Sequence, residues 1–357
     1  MEENKVNSTI KDVAKRARVS VSTVSRVLNG TAQVNEETRQ KVLQTVETLN
    51  YRPNLVAQSL RRKKSLTIGL IVENIANPFF PDIVRGVEER AHQYGYSVFL
   101  CNNGKDFRRG LEHLDVLQKR GADGIIYSSM GKIIQPALAL KILQLSEAGI
   151  PAVFLWRRIS ELDTAAVLND ESGGARKATA HLLNLGHRRI AFVGGFADSV
   201  VTRERYDGYR SMLEEKGIEP TEDLILFSDF EVSGGFEAAM ELFRCNPPPT
   251  AIFTANDLMA IGVMLAAKQT GRRVPEDLAV VGFDDIRFSE LTDPPLTTVR
   301  VPKYEMGLKA TEKLLELLGE RDAQTPDTMV LESDLIVRRS CGTKPDNALI
   351  IQKPSSK

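Results

Sequence analysis

Long apolar runs are missing from this chain: no stretch approaches the ~18 consecutive apolar residues of a membrane-spanning helix. The opening MEENKVNSTIKD has no apolar segment of the kind a secretory signal carries, so the expected location is the cytoplasm. Cysteine is scarce. Cys101, Cys245 and Cys341 are far apart, odd in number and in no CxxC pair. That usage argues against a disulfide framework and against a zinc site. The four histidines, His92, His113, His181 and His187, are scattered and read as surface or packing residues. There is no P-loop, no GxGxxG after the first apolar run and no GxSxG, and the Asp284-Asp285 pair could hold a metal but is, as a lone pair, a weak signal. No catalytic site, metal or cofactor is expected.

An excess of either charge is missing as well: 47 Lys and Arg balance 47 Asp and Glu. The balance conceals an asymmetry. Residues 1–64 carry 13 cationic and 6 acidic side chains, the remainder 34 and 41. A small basic head on a larger acidic body places any polyanion contact at the head. At 357 residues, and roughly 150 residues per domain, two or more folding units are expected.

The head reads as helices. In TIKDVAKRARVSVSTVSRVLNG, Thr9 and Asp12 form a capping-box pattern, and Ile10, Val13, Ala14 and Ala17 fall on one helical face. After a break at Arg18-Val19-Ser20, Ser20 caps a second helix with Val24, Val27 and Leu28 as its buried stripe, and Asn29-Gly30 stops it. A third helix starts near Asn35 and turns Val42, Leu43, Val46 and Leu49 inward. Two short helices, a tight turn and a supporting helix outline a helix-turn-helix. Such a second helix presents Val21, Ser22, Ser25 and Arg26: a methyl contact, hydrogen bonds and one cation for a guanine edge. Thr23 and Ser25, or the helix-terminal amides, suit phosphate. A three-helix bundle that meets a protein partner has the same spacing.

From Leu66 onward, short β-branched runs alternate with amphipathic segments. LTIGLIV, SVFLCN, DGIIYSS, PAVFLW, AVLND, RRIAFVGG, TAIFTAN and DLAVVGF read as strands. Helical patterns near 82–94, 135–148, 173–185, 202–216, 257–269 and 304–318 separate many of them. The alternation predicts parallel sheets covered by helices, in two lobes. Ligands bind such sheets beyond the carboxyl ends of the strands. The loops there carry Phe79, Phe80, Trp156 and Phe230 with Arg205, Asn256, Asp257, Asp284 and Asp285. Arginine and carboxylates against aromatic faces suit sugars and related small molecules.

The head motif, followed by VNEETRQKVLQTVETLNYRPNLVAQSL, resembles the lactose/galactose repressor family of bacterial transcription regulators, and the resemblance continues to about Ser340. It implies a small all-α helix-turn-helix head (1–52) joined by a hinge helix (53–64) to an α/β two-lobed, periplasmic-binding-protein-like (type I) body with parallel sheets (65–341). Residues 342–357 are left as a tail. Expected crossovers near 165, 293 and 327 give an N-lobe of about 65–165 plus 294–326 and a C-lobe of about 166–293 plus 327–341. The implied DNA-contacting set is Thr9, Ser20, Val21, Ser22, Thr23, Ser25, Arg26 and Asn29 in the head, with Asn54, Ala57, Leu60 and Arg61 in the hinge. Leu60 sits where the family wedges a leucine into the minor groove. The implied effector set is Phe79, Phe80, Trp156, Arg205, Phe230, Asn256, Asp257 and Asp284.

The family implies a homodimeric repressor, not an enzyme, on a pseudo-palindromic operator in double-stranded DNA, controlled by a sugar or sugar derivative. A nucleobase-type co-repressor on the same architecture is the alternative, and a transport solute-binding protein a remote one. The tail has no leucine heptads, so a dimer is expected and not a coiled-coil tetramer. Two positions depart from the family: Arg18, where Gly is usual, and Trp156, where many relatives have Asp.

Overall fold

The computed structural model describes residues 8–29, 34–51, 64–104, 106–128, 136–156, 162, 164–322 and 327–343. Chain contacts divide it into two compact units, Met1–Ser65 and Leu66–Lys357.

The first unit holds helices α1 (Ile10–Ala17), α2 (Val21–Asn29) and α3 (Glu36–Thr48). The capping box at α1 is complete: the Thr9 N–H donates to Asp12 Oδ2 at 2.8 Å and the Asp12 N–H to Thr9 Oγ1 at 3.4 Å. Arg18 ends the helix in the left-handed region, φ 55° and ψ 44°, the conformation that glycine adopts without steric cost. Ser20 caps α2 by accepting the Thr23 N–H at 3.0 Å, and Asn35 caps α3 by accepting the Thr38 N–H at 2.8 Å. Val13, Ala14, Ala17, Val24 and Val42 are buried, with Ile10, Val27, Leu28, Val46 and Leu49 packed around them. Leu43 departs from its expected inward place and is 37% exposed; Thr45 is buried in its stead. At 100° per residue, positions 42, 45, 46 and 49 share a face and 43 falls at its rim.

The second unit contains two six-stranded sheets. Strands β1 (Thr67–Val72), β2 (Ser97–Asn102), β3 (Gly124–Ser128), β4 (Ala152–Leu155), β5 (Ala165–Asn169) and β11 (Thr328–Leu331) form the N-lobe sheet, in the order β11-β5-β4-β3-β1-β2, all parallel. The C-lobe sheet has the order β12-β10-β9-β8-β6-β7. Its strands are β6 (Ile190–Gly194), β7 (Ile225–Phe227), β8 (Ala251–Thr254), β9 (Ala279–Asp284), β10 (Thr297–Arg300) and β12 (Asp334–Ile336). Only β12 runs antiparallel there, on the edge beside β10. The covering helices are α4 (Phe80–Gln93), α5 (Phe107–Lys119), α6 (Pro136–Glu147), α7 (Glu171–Asn184), α8 (Val200–Glu215), α9 (Val232–Leu242), α10 (Asp257–Gln269) and α11 (Lys303–Leu317).

The chain changes lobe three times, after β5, β10 and β11, which end at residues 169, 300 and 331. Each change falls later than the expected 165, 293 and 327. Strands β5 and β11 lie in the N-lobe sheet and β10 in the C-lobe sheet, because a strand completes its ladder before the chain leaves its layer. Glycine lets three helix pairs close to backbone contact. A Cβ on Gly307 of α11 would stand 2.3 Å from the Ile83 carbonyl of α4. Equivalent approaches are Gly208 to the Ser172 carbonyl (α8 on α7) and Gly262 to the Val232 carbonyl (α10 on α9). Among the described residues, no helix is long and apolar enough to cross a membrane.

Candidate functional site

The start of α2 forms the polar face of the head. Thr9, Ser20, Ser22 and Arg26 are exposed, and Val21, Thr23 and Ser25 half-buried. Ser20 Oγ lies 2.7 Å from Ser22 Oγ and 2.8 Å from Thr23 Oγ1, so three hydroxyls gather where the helix's amide dipoles point outward. Val21 divides its side chain between the head's core and this face. Asn29 ends α2, with its side chain outside the described residues, as are Asn54, Ala57, Leu60 and Arg61 entirely.

In the body, the expected effector residues gather at the carboxyl ends of the strands. On the N-lobe side, Phe79 and Phe80 are each 1% exposed and meet edge to face, ring centroids 5.4 Å apart. Trp156, just past β4, lies 5.4 Å from Phe79 at a 47° tilt. Its backbone is left-handed, φ 64°, held by its N–H donating to the Val167 carbonyl at 3.0 Å. The indole Nε1–H is buried without a hydrogen-bond partner in the protein. The phenyls therefore build the wall by packing, and the indole adds an unused donor to it.

Arg205 of α8 is 2% exposed. Its Nε donates to Glu171 Oε2 at 2.7 Å and its Nη1 to the Ala255 carbonyl, while the guanidinium lies 3.8 Å over the Phe283 ring. Nη1 is 3.3 Å from Asp284 Oδ1, near enough for an ion pair but not aligned as a hydrogen bond. Arg205 Nη2, Asp284 Oδ1 and Glu171 Oε1 are all buried without a hydrogen-bond partner. Burial pushes the Asp284 carboxyl up to about 8, against the lowering influence of Arg205 and Lys303. Phe230, at φ 67°, presses its ring onto Gly195, where a Cβ would stand 2.1 Å from it.

Two expected ligand contacts are spent on the protein itself. Asp257 is buried with both oxygens engaged: Oδ2 accepts the Ile286 N–H at 2.8 Å and the Ser289 hydroxyl at 2.7 Å, and Oδ1 accepts the Thr298 hydroxyl. It braces the segment after β9 against β10 instead of facing a ligand. Burial raises it to about 6 despite those bonds. Asn256 caps α10 by accepting the Met259 N–H at 2.9 Å and donates Nδ2 to the Phe230 carbonyl at 2.9 Å, so it shapes the Phe230 loop. Asp285 is likewise committed, to Arg300 at 2.6 Å and Arg338 at 2.7 Å.

Two residues of this site were not singled out from sequence. Glu171 supplies the partner of Arg205. Lys303, the first residue of α11, is 5% exposed, donates Nζ to the carbonyls of Asp284 and Asp285 (3.0 Å to the latter), and lies 5.7 Å from the Phe79 ring. An N-lobe helix thereby holds the C-lobe turn in which both aspartates are left-handed, φ 108° and 51°. A first-turn lysine is usually a solvated one; nothing in its neighbours along the chain marks this one as buried.

A helix-turn-helix head on a two-sheet body, with aromatic walls and unpaired polar atoms at the strand ends, defines a DNA-binding regulator with an effector-binding domain. Comparison with known proteins agrees. The model for bacterial regulatory proteins of the lacI family matches residues 9–54, and that for a periplasmic binding protein-like domain matches 179–341. The HTH-type transcriptional repressor PurR of Mannheimia succiniciproducens is 35% identical over 334 residues, 93% of this chain and 98% of its own. The ribose operon repressor of Halalkalibacterium halodurans is 35% identical over 343 residues, 96% of this chain and 100% of its own. A lac repressor dimer bound to operator and the anti-inducer ONPF superposes with a TM-score of 0.82 at 31% identity, over 94% of this chain and 99% of that one. A complex of the transcriptional regulator CelR with cellobiose gives 0.70 at 34%, over 94% and 100%. The chain belongs to the LacI family of bacterial regulatory proteins.

Proposed function

We propose that this chain represses transcription as a homodimer on a pseudo-palindromic operator, and that a sugar or sugar derivative bound between the lobes sets its affinity for DNA. The observation that carries the effector reading is the pair of buried atoms without a hydrogen-bond partner, Arg205 Nη2 and Asp284 Oδ1, beside the strand ends. An unsatisfied buried polar group costs about 1–3 kcal/mol, which a ligand bearing vicinal hydroxyls recovers by bonding both. The ribose operon repressor and the cellobiose-bound regulator among the relatives support the same class. Two heads reading two half-sites follow from the two-fold symmetry of such a dimer. An effector shifts the equilibrium only through unequal affinity for two lobe arrangements. Lys303, which joins α11 to the Asp284 turn, is positioned to register that arrangement.

A planar nucleobase-type ligand is the second reading, favoured by the unpartnered indole N–H of Trp156 beside the Phe79 ring. One titration separates the two. Operator binding and Trp156 emission are followed while ribose, cellobiose, hypoxanthine and guanine are added to the full chain. Trp156 is the single tryptophan, so its emission reports on this wall alone. A sugar that changes operator affinity, with the response abolished in Arg205→Met, supports the first reading. A response to the bases alone transfers it to the second.

A further inference from the structure

On the N-lobe side of the site, three buried polar groups have no hydrogen-bond partner among the described residues: Ser128 Oγ, Trp156 Nε1 and Asn169 Nδ2. Ser128 ends β3, Trp156 follows β4 and Asn169 ends β5, three neighbouring strands. Ser128 is in register with Leu155, and Leu155 with Val167, two residues before Asn169. Side chains alternate along a strand, so Ser128 and Asn169 share the face of Leu155 and Val167. The left-handed backbone at Trp156 adds the indole to that face. It packs with Leu155, Val167 and Phe79, while Phe154 and Ala166 lie in the cluster behind the sheet.

These groups mostly donate. An indole N–H cannot accept, and Asn169 Oδ1 already accepts the Ser333 hydroxyl at 2.8 Å, which leaves the amide N–H bonds. The carboxylates nearest in sequence are turned elsewhere. Asp170 accepts the Gly173 N–H at 2.7 Å, and Glu73 acts on the Tyr127 hydroxyl behind the sheet. Lys303 sets the charge of this side. Its Nζ is 5.7 Å from the Phe79 ring that Trp156 also meets, donates to two carbonyls, and pairs with no carboxylate among the described residues. Asp284, whose carbonyl it holds, keeps its own proton below about 8. A buried ammonium without a counter-ion is costly, and one of its three protons is still unused.

The C-lobe side differs. Arg205, Asp284 and Glu171 offer donors and acceptors together, as vicinal hydroxyls require. The turn Asn169-Asp170-Glu171 joins the two sides, because Glu171 bonds Arg205. A ligand that suits both has hydroxyls at one end and an anionic group that only accepts at the other. A phosphate ester brings close to two negative charges, more than one lysine balances. We propose that the effector is a sugar acid, a polyhydroxylated monocarboxylate whose carboxylate is received by Trp156 and Asn169 beside Lys303. This rests on the sugar reading of the same site and narrows it.

The test is calorimetric titration of the full chain with matched probes: gluconate against glucose, galacturonate against galactose, then glucose-6-phosphate, hypoxanthine and guanine. Operator affinity is followed with each. A hydrogen bond to a charged group corresponds to about tenfold or more in affinity. At least one acid is therefore expected to bind about tenfold more tightly than its neutral partner and to shift operator affinity. Asn169→Asp keeps the acceptor that Ser333 uses and sets a carboxylate against the ligand's own; it is expected to abolish the preference for the acid. Trp156→Phe keeps an aromatic ring on Phe79 and removes the N–H. It is expected to lower acid affinity about tenfold, and it serves if the first variant does not fold. Neutral sugars binding as tightly as their acids, tighter binding of the phosphate, or an acid preference that survives both variants overturns the proposal and leaves the sugar reading standing. A response to the bases alone overturns both, and silence of both acids overturns the proposal.

Discussion

Arg18 shows how one residue can be read correctly from its neighbours and still leave a cost in the fold. The turn between α1 and α2 requires a left-handed residue, and Arg18 adopts φ 55° there. A side chain in that conformation costs about 1–2 kcal/mol, partly returned because glycine loses more entropy on folding. Arg18→Gly is expected to stabilise the head by about 0.5–1 kcal/mol, measured as slower amide exchange across 10–48; faster exchange would show that the guanidinium contributes more than the strain removes. Asp284 gives a second prediction. Its folded carboxyl is raised from 3.8 to about 8, chiefly by burial. Between those pH values the folded protein keeps a proton that the unfolded chain releases, so this group lowers stability as pH rises through the window. Asp284→Asn is expected to flatten that fall, measured by melting temperatures of wild type and variant at pH 5, 7 and 9; parallel profiles would refute it. Legibility at this scale was uneven. Arg205 and Phe230 were expected in the loops beyond the strands, and Arg205 lies instead in α8, with its guanidinium on the Ala255 carbonyl just past β8. Asp257, expected to face a ligand, spends both oxygens on Ile286, Ser289 and Thr298, since adjacency to Asn256 says nothing about which way a carboxylate turns; Lys303 was missed because burial of a lysine arises from tertiary packing alone.

Elements were more legible than side chains, for a periodic reason. All eight runs read as strands are strands, each a short apolar run; seven are almost wholly buried, and β2, at the edge of its sheet, is mostly exposed. The four unforeseen strands, β7, β10, β11 and β12, have three or four residues each and lie at a sheet edge or beside a lobe crossing, too short for a pattern to emerge. Helices α5 and α9 were also unforeseen. What no period reveals is how closely helices approach. Gly307 brings α11 onto α4 so tightly that a methyl group would meet the Ile83 carbonyl at 2.3 Å, and backbone cannot rotate away as a side chain can. Gly307→Ala should therefore destabilise the body by about 1–3 kcal/mol, although alanine is the better helix former. Urea denaturation measures it; an unchanged midpoint would mean that the two helices slide apart freely.

At the scale of the whole molecule, charge and length join the two units into one regulator. Residues 1–64 carry 13 cationic against 6 acidic side chains while the remainder carries 34 against 41, so attraction to DNA is expected at the head and its connector. Each phosphate neutralised contributes a slope of about −0.9 in log affinity against log salt for duplex DNA, and removing one contacting cation should reduce that slope by about one. Leu60 is expected to make a contribution of a different kind. Asn54 to Leu60 is seven residues, far below the ~12–15 at which an isolated helix becomes even marginal in water. Any helix there needs its ordering energy from binding, and the family resemblance assigns Leu60 to a minor-groove wedge, where unstacking costs a few kcal/mol and the bent duplex returns it. An apolar wedge neutralises no phosphate. Leu60→Ala is therefore expected to weaken operator binding at least tenfold and reduce operator bending, while the salt slope and nonspecific binding stay as they are. Titrations at several salt concentrations with operator and scrambled duplexes, together with a bending assay, measure all three. A loss shared equally by both duplexes, or a changed slope, would place Leu60 among general backbone contacts and separate the connector from sequence recognition.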